Sequence, residues 1–101
     1  MNIAELTITN VSHRKSKYFE NEFEIRFVID EFHYKLLMSQ IANRLVHPIH
    51  VEHLVKNKTC PCCKERFTIL CNELTRSKQE LFHRLIEFPN IRLKWLYINH
   101  V

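Results

Sequence analysis

Glycine is absent from all 101 residues. That one absence removes several classes of site. A P-loop needs glycine so that backbone amides can surround phosphate, and a Rossmann turn needs it for close approach to pyrophosphate. A nucleophile elbow needs it beside the serine. Turns must be made by other residues, and Asn10, Asn21, Asn57, Asn72 and Asn90 stand where breaks are expected. Long apolar runs are missing too, so no stretch reaches the length of a membrane span. The start, Met1 to Thr7, lacks the basic segment and apolar run of a signal peptide. A strong charge of one sign is also lacking. Fifteen Lys and Arg against 11 Asp and Glu give +4, which permits a phosphate-bearing or acidic partner without demanding one.

Hydrophobic residues make up 46% of the chain and aromatics 11%, enough for a packed core. The length suits a single domain over 1–101. Burial alone stabilises a domain of this size only marginally, so a metal staple would help it. All four cysteines fall between 60 and 71, three of them at 60, 62 and 63. A disulfide framework spreads its cysteines to tie distant segments. This clustering instead fits a metal or redox site in a reducing compartment, and so a cytoplasmic protein (in the host cell, if the source is viral).

Two periodicities organise the chain. Ala4, Leu6 and Ile8 alternate with polar residues, predicting a strand over 3–11. Phe23, Ile25, Phe27 and Ile29 alternate with Glu22, Glu24 and Arg26, a second strand, and the polar tip from Ser12 to Lys17 would join the two as a hairpin. Asp30 then reads as a helix N-cap. Tyr34, Leu37, Met38, Ile41, Ala42 and Leu45 recur at helical spacing to about residue 46. Pro48 in a first turn predicts a short helix over 48–56. Arg66 to Cys71 reads as a short strand, and Ser77-Lys78-Gln79-Glu80 has the spacing of a capping box ahead of a helix bearing Leu81, Phe82, Leu85 and Ile86. Ile91, Leu93, Trp95 and Tyr97 predict a closing strand. The expected fold is an α+β two-layer sandwich of order β-β-α-(Cys/His segment)-β-α-β with a mostly antiparallel sheet, the Cys/His segment spanning 47–71.

That segment carries the chemistry. Cys60 and Cys63 form a C-x-x-C pair, which can wrap a tight turn and point two thiolates at one tetrahedral ion. On a helix, His50 and His53 at i, i+3 would share a face, giving a site of Cys60, Cys63, His50 and His53. Cys71, His47 and His83 are competing ligands, and a site of Cys60, Cys63, Cys71 and one histidine is also geometrically open. The stretch from Thr59 to Phe67 resembles the zinc knuckle of zinc-ribbon, treble-clef and RING-type proteins, which reads Cys-Pro-x-Cys, then Gly, with an aromatic a few residues on. Cys60, Pro61, Cys63 and Phe67 match, and Lys64 stands where the glycine would be. The resemblance covers about nine residues and implies zinc coordination, not a family function. The same Cys-Pro-x-Cys also resembles the glutaredoxin active site, but there the motif lies near the chain start and opens a helix.

The bland readings stand beside these. Cysteines are among the most buried residues, so Cys62 and Cys71 also fit the core. Seven histidines make chance proximity easy. Neither Glu52 nor Glu65 falls in H-E-x-x-H or in the zinc-deaminase pattern, which argues against an enzyme. Basic residues form three groups: Arg14, Lys15 and Lys17; Lys56, Lys58, Lys64 and Arg66; and Arg76 with Lys78. They suit phosphates or a partner, or simply solubilise the surface. Tyr18, Phe19 and Trp95 are candidates for stacking on bases or for the core. The leading expectation is a non-catalytic, zinc-stabilised module that binds a protein or protein–nucleic-acid complex. Its rivals are a direct RNA or DNA binder, a small viral-type inhibitor of a host enzyme and a thiol oxidoreductase. A closing strand apolar on both faces adds the expectation of a homodimer or a protein-binding edge.

Overall fold

The alternation of the second strand does not stop at Asp30. After two polar residues it resumes with Phe32, Tyr34, Leu36 and Met38, again at period two. A computed structural model describes residues 2–15, 22–40, 46–55, 57–66 and 68–91. In it the chain forms β1 (Ile8–Lys15), β2 (Glu22–Ile29), β3 (Phe32–Gln40), β4 (Val46–His53), α1 (Asn72–Arg76) and α2 (Lys78–Leu85), preceded by a 3-10 turn at Ile3–Glu5. The four strands make one sheet in the order β1-β2-β3-β4, every neighbour antiparallel. The fold class is α+β.

Register places the apolar residues on one face. Ile25 pairs with Leu36, Phe27 with Tyr34 and Ile29 with Phe32, and all six are buried. Glu24, Arg26, Lys35 and Glu52 alternate onto the opposite face, where Arg26 meets Glu24 at 2.7 Å and Lys35 meets Glu52 at 3.7 Å. The two helices send Leu74, Leu81, Phe82 and Leu85 into the same core as the inner face of the sheet. None of the helices among the described residues is long and apolar enough to cross a membrane.

Turns without glycine have a visible cost. Asp30 and Glu31 join β2 to β3 with φ 51° and 64°. Positive φ at both central residues marks a type I′ hairpin turn, which favours Asn-Gly because side chains at such angles cost about 1 kcal/mol each. Asn10, at φ 52°, sits in the bulge that shifts the β1–β2 register between Thr9 and Ser12.

The β4 strand is the outer strand on the side of the cysteines, and its outer edge is engaged from Ile49 to His53. His53 N–H donates to the Ile69 carbonyl at 2.8 Å, and Cys71 N–H donates to the Val51 carbonyl at 2.9 Å. Val51 N–H donates to Thr75 Oγ1 at 3.0 Å, and Lys78 Nζ donates to the Ile49 carbonyl at 3.0 Å. An edge closed in this way does not template further strands. Pro48 is accommodated because it lies on this outer strand beside a bulge, where the register shifts between Leu37 and Met38.

Several expectations are corrected. Where a helix was expected from Asp30 to residue 46, residues 32–40 form β3, while Ile41, Ala42 and Leu45 lie outside the described residues, and residues 48–53 of the expected short helix belong to β4. Periods 2 and 3.6 coincide at Tyr34 and Met38, and burial of a complete strand face decides for 2. Asp30 is a turn residue, not a cap. The strand expected over 3–11 begins only at Ile8, because Asn2 Oδ1 accepts from Ala4 N–H at 3.1 Å and starts a 3-10 turn. Where a strand was expected from Arg66 to Cys71, the described residues contribute a single bridge, Glu52 to Leu70. Ser77 does precede α2, but its side chain makes no capping bond, since it also closes α1 through its own N–H. Ile91 is buried in a helical turn at 89–91, and the rest of the closing strand, with Trp95 and Tyr97, lies outside the described residues. So do Lys17, Tyr18, Phe19, Lys56 and Phe67.

The hairpin makes a prediction that a helix would reverse. Replacing Asp30 by Asn together with Glu31 by Gly relieves a type I′ turn and stabilises the domain by about 1 kcal/mol. That raises the midpoint of thermal unfolding, followed by circular dichroism, by roughly 4–8 °C. At a helix N-terminus the introduced glycine would lower it.

Candidate metal centre

Three separate stretches deliver side chains to one point. The first is the end of β4. His53 pairs with Tyr34 across β3 and so takes the inner face, where it is buried. The second is the turn at 60–65, in which Cys60 N–H donates to the Glu65 carbonyl and Lys64 N–H to the Cys60 carbonyl, both at 2.9 Å. Lys64 adopts φ 64°, the left-handed conformation that glycine would take most easily at that position. The third is Cys71, whose N–H binds β4 and whose carbonyl accepts Thr75 N–H at 2.9 Å to open α1.

The ligand atoms of His53, Cys60, Cys63 and Cys71 all lie within 4.8 Å of one another. Cys60 Sγ is 3.9 Å from Cys71 Sγ, and Cys63 Sγ is 3.5 Å from His53 Nε2. Bonds of about 2.3 Å to sulfur and 2.05 Å to nitrogen around a tetrahedral ion place two sulfurs roughly 3.8 Å apart and a sulfur and nitrogen roughly 3.5 Å apart. These two spacings match that polyhedron, and the remaining ones, within 4.8 Å, are close to it. All four cysteines are free thiols.

The histidine is prepared as a ligand. His53 Nδ1 lies 2.9 Å from the Thr68 carbonyl oxygen, which can only accept. The proton therefore sits on Nδ1, and Nε2 turns a lone pair toward the thiols. An outer partner that fixes the tautomer in this way is a recurring feature of metal-bound histidines. Phe32 and Tyr34 flank the ring, with centroids 5.5 and 5.8 Å away.

Cys60 is distinguished electrostatically. Burial pushes its thiol up, but the Tyr34 hydroxyl at 2.9 Å and the backbone N–H groups of Cys63 and Cys62 outweigh that and bring it down to about 7. Burial holds Cys63 above the ordinary thiol range and raises Cys71 further. Cys62 is pushed up to about 11, burial outweighing a hydrogen bond from Tyr34. It lies outside the ligand group and fills the core. Burial followed by the neighbouring thiols keeps the Tyr34 hydroxyl firmly protonated, and so a donor.

Of the residues expected at a metal site, the structure brings together Cys60, Cys63 and His53, with Cys71 from among the alternatives. His50 is not with them. Residues three apart on a strand face opposite ways, and His50 Nε2 lies 2.8 Å from Glu52 Oε2 on the outer face. His47 and His83 are exposed and outside the group. Three of the basic candidates that are described have partners within the chain. Lys78 is bound to Ile49, Arg66 donates to the Asn57 carbonyl at 3.2 Å, and Arg76 meets Glu73 at 3.5 Å. Arg14, Lys15, Lys58 and Lys64 are exposed. Tyr34 was not among the expected site residues, because helical spacing gave it no reason to face the cysteines. Reading Phe32 to Met38 at period two would have placed it across from His53. No known protein family, characterised protein or solved structure matches the chain.

Cobalt(II) titration checks the ligand set. His53→Ala and Cys71→Ala each weaken binding by about 100-fold or more, exceeding the usual loss from an outer-shell change. His50→Ala leaves the affinity and the tetrahedral absorption bands unchanged.

Proposed function

We propose that this protein is a non-catalytic binding module whose fold is fastened by one structural zinc ion held by His53, Cys60, Cys63 and Cys71. The observation that carries the reading is the closed set of three sulfurs and one ring nitrogen within 4.8 Å. Sulfur-rich sets of four suit zinc, and with all four positions filled by protein none is left for water or substrate. The set contains no carboxylate, and Glu52, the one nearest in sequence to His53, is engaged with His50 and Lys35 on the other face of the sheet. The zinc-knuckle resemblance of 59–67 agrees with this, and Lys64 at positive φ supports it.

A role in binding follows from what the zinc segment leaves outside. Leu54, Ile69 and Leu70 are exposed around it, Ile69 by 63%, with exposed Lys58 and Lys64 on the same two arms of chain. Mixed apolar and basic surface suits a protein, or a protein within a nucleic-acid complex, better than bare phosphate. Lys78, held by the Ile49 carbonyl, weighs in the same direction. A thiol oxidoreductase is disfavoured because Cys60, its expected nucleophile, is fully buried. Cytoplasmic residence fits thiols kept reduced.

Purified protein is expected to hold one zinc per chain, and Cys60→Ser/Cys63→Ser none. Stripping the zinc with a chelator unfolds the domain, as seen by loss of amide protection in hydrogen exchange. An unaltered fold without metal would contradict the reading. Steeply salt-dependent RNA binding, abolished by Lys64→Glu/Arg66→Glu, would replace it with direct nucleic-acid recognition.

A further inference from the structure

Tyr34 is not a ligand, yet it touches two of the four ligand residues. Its hydroxyl oxygen lies 2.9 Å from Cys60 Sγ and 3.5 Å from Cys62 Sγ, and its ring lies against His53. The residue is fully buried. Phe27 at 5.3 Å and Phe32 at 5.1 Å hold the ring, so the hydroxyl is aimed by the core and not by solvent. A thiolate bound to an ion has no proton to give, so in the loaded site the phenol donates and sulfur accepts. Cys60 Sγ then gathers three donors: Tyr34 O–H, Cys62 N–H at 3.3 Å and Cys63 N–H at 3.5 Å.

We propose that Tyr34 is an outer-shell positioning residue that governs how long the ion is retained. The inference rests on the zinc reading above. Three thiolates and one neutral imidazole around a dication leave a net negative charge inside the protein. Donors to sulfur spread that charge. They make the sulfur slower to accept a proton or an electrophile, and those are the steps by which a thiolate leaves its metal. The two backbone donors belong to the knuckle itself. Tyr34 is the donor supplied by the sheet and the only one of the three from a side chain, so it can be removed alone.

Tyr34→Phe deletes one oxygen and keeps the ring. The variant is expected to carry one zinc per chain and to release it to a chelating dye about 10–100-fold faster than the unaltered protein. In the cobalt(II) form its sulfur-to-metal charge-transfer band shifts, a change that looser packing alone does not produce. A release rate within about twofold of the unaltered protein, below the usual outer-shell range, with an unmoved band overturns the proposal. Should the variant fail to fold, uniform 3-fluorotyrosine labelling makes the phenol more acidic at nearly constant size. Slower release supports the role, and an unchanged rate overturns it. Unaltered protein that binds no ion would overturn the zinc reading and this inference together, whereas bound zinc with an indifferent Tyr34 overturns only this one.

Discussion

The pairing of Tyr34 with His53 across β3 and β4 joins the hydrophobic core to the candidate metal centre. Everything near the cysteines depends on that register. It puts His53 on the inner face, where Thr68 can hold its Nδ1 proton, and it puts the Tyr34 hydroxyl against Cys60. A slip of one residue would exchange the faces, sending His53 to the solvent side and bringing Glu52 inward. The bulge beside Pro48 lies within that β3–β4 pairing and shifts its register between Leu37 and Met38, so the side chains that face the cysteines are counted from it.

The energetic logic is that of a small domain. Net stabilities of such domains are about 5–15 kcal/mol, and structural zinc in small folds binds with an apparent 10–16 kcal/mol. An ion on this cluster would therefore weigh as much as the rest of the fold together. It would also fasten the arms on either side of the knuckle, whose described residues lie outside the named strands and meet β4 at the bridge of Glu52 to Leu70. Salt bridges on the outer face are partly exposed and contribute little by comparison. The helices, by contrast, cover β4 and complete the core, and their link to the cysteines is Cys71, at the start of α1.

Much of the fold was legible in the sequence: the alternation at 22–29 and the apolar face of α2 each had one interpretation, and the clustering of the cysteines marked the segment that carries the site. The segment from Phe32 to Gln40 had two, since Tyr34 and Met38 satisfy both periods, and the turn that would have separated them is written Asp-Glu, not Asn-Gly. Assigning a helix there carried over into the site. On a helix His50 and His53 share a face; on a strand only one of them can face the cysteines. Cys71 was ambiguous for another reason. A buried cysteine in the core and a ligand at a helix entrance look alike until the chain is folded. Tyr34 gave no local signal, because its partner Cys60 is 26 residues away.

X-ray absorption at the zinc edge on purified protein tests the central claim most directly, because it counts ligand atoms. The account predicts three sulfurs near 2.3 Å and one nitrogen near about 2.05 Å, with no oxygen shell. Two sulfurs with two nitrogens, or any bound water, would contradict it, because the first would return His50 or another histidine to the site and the second would open it to chemistry.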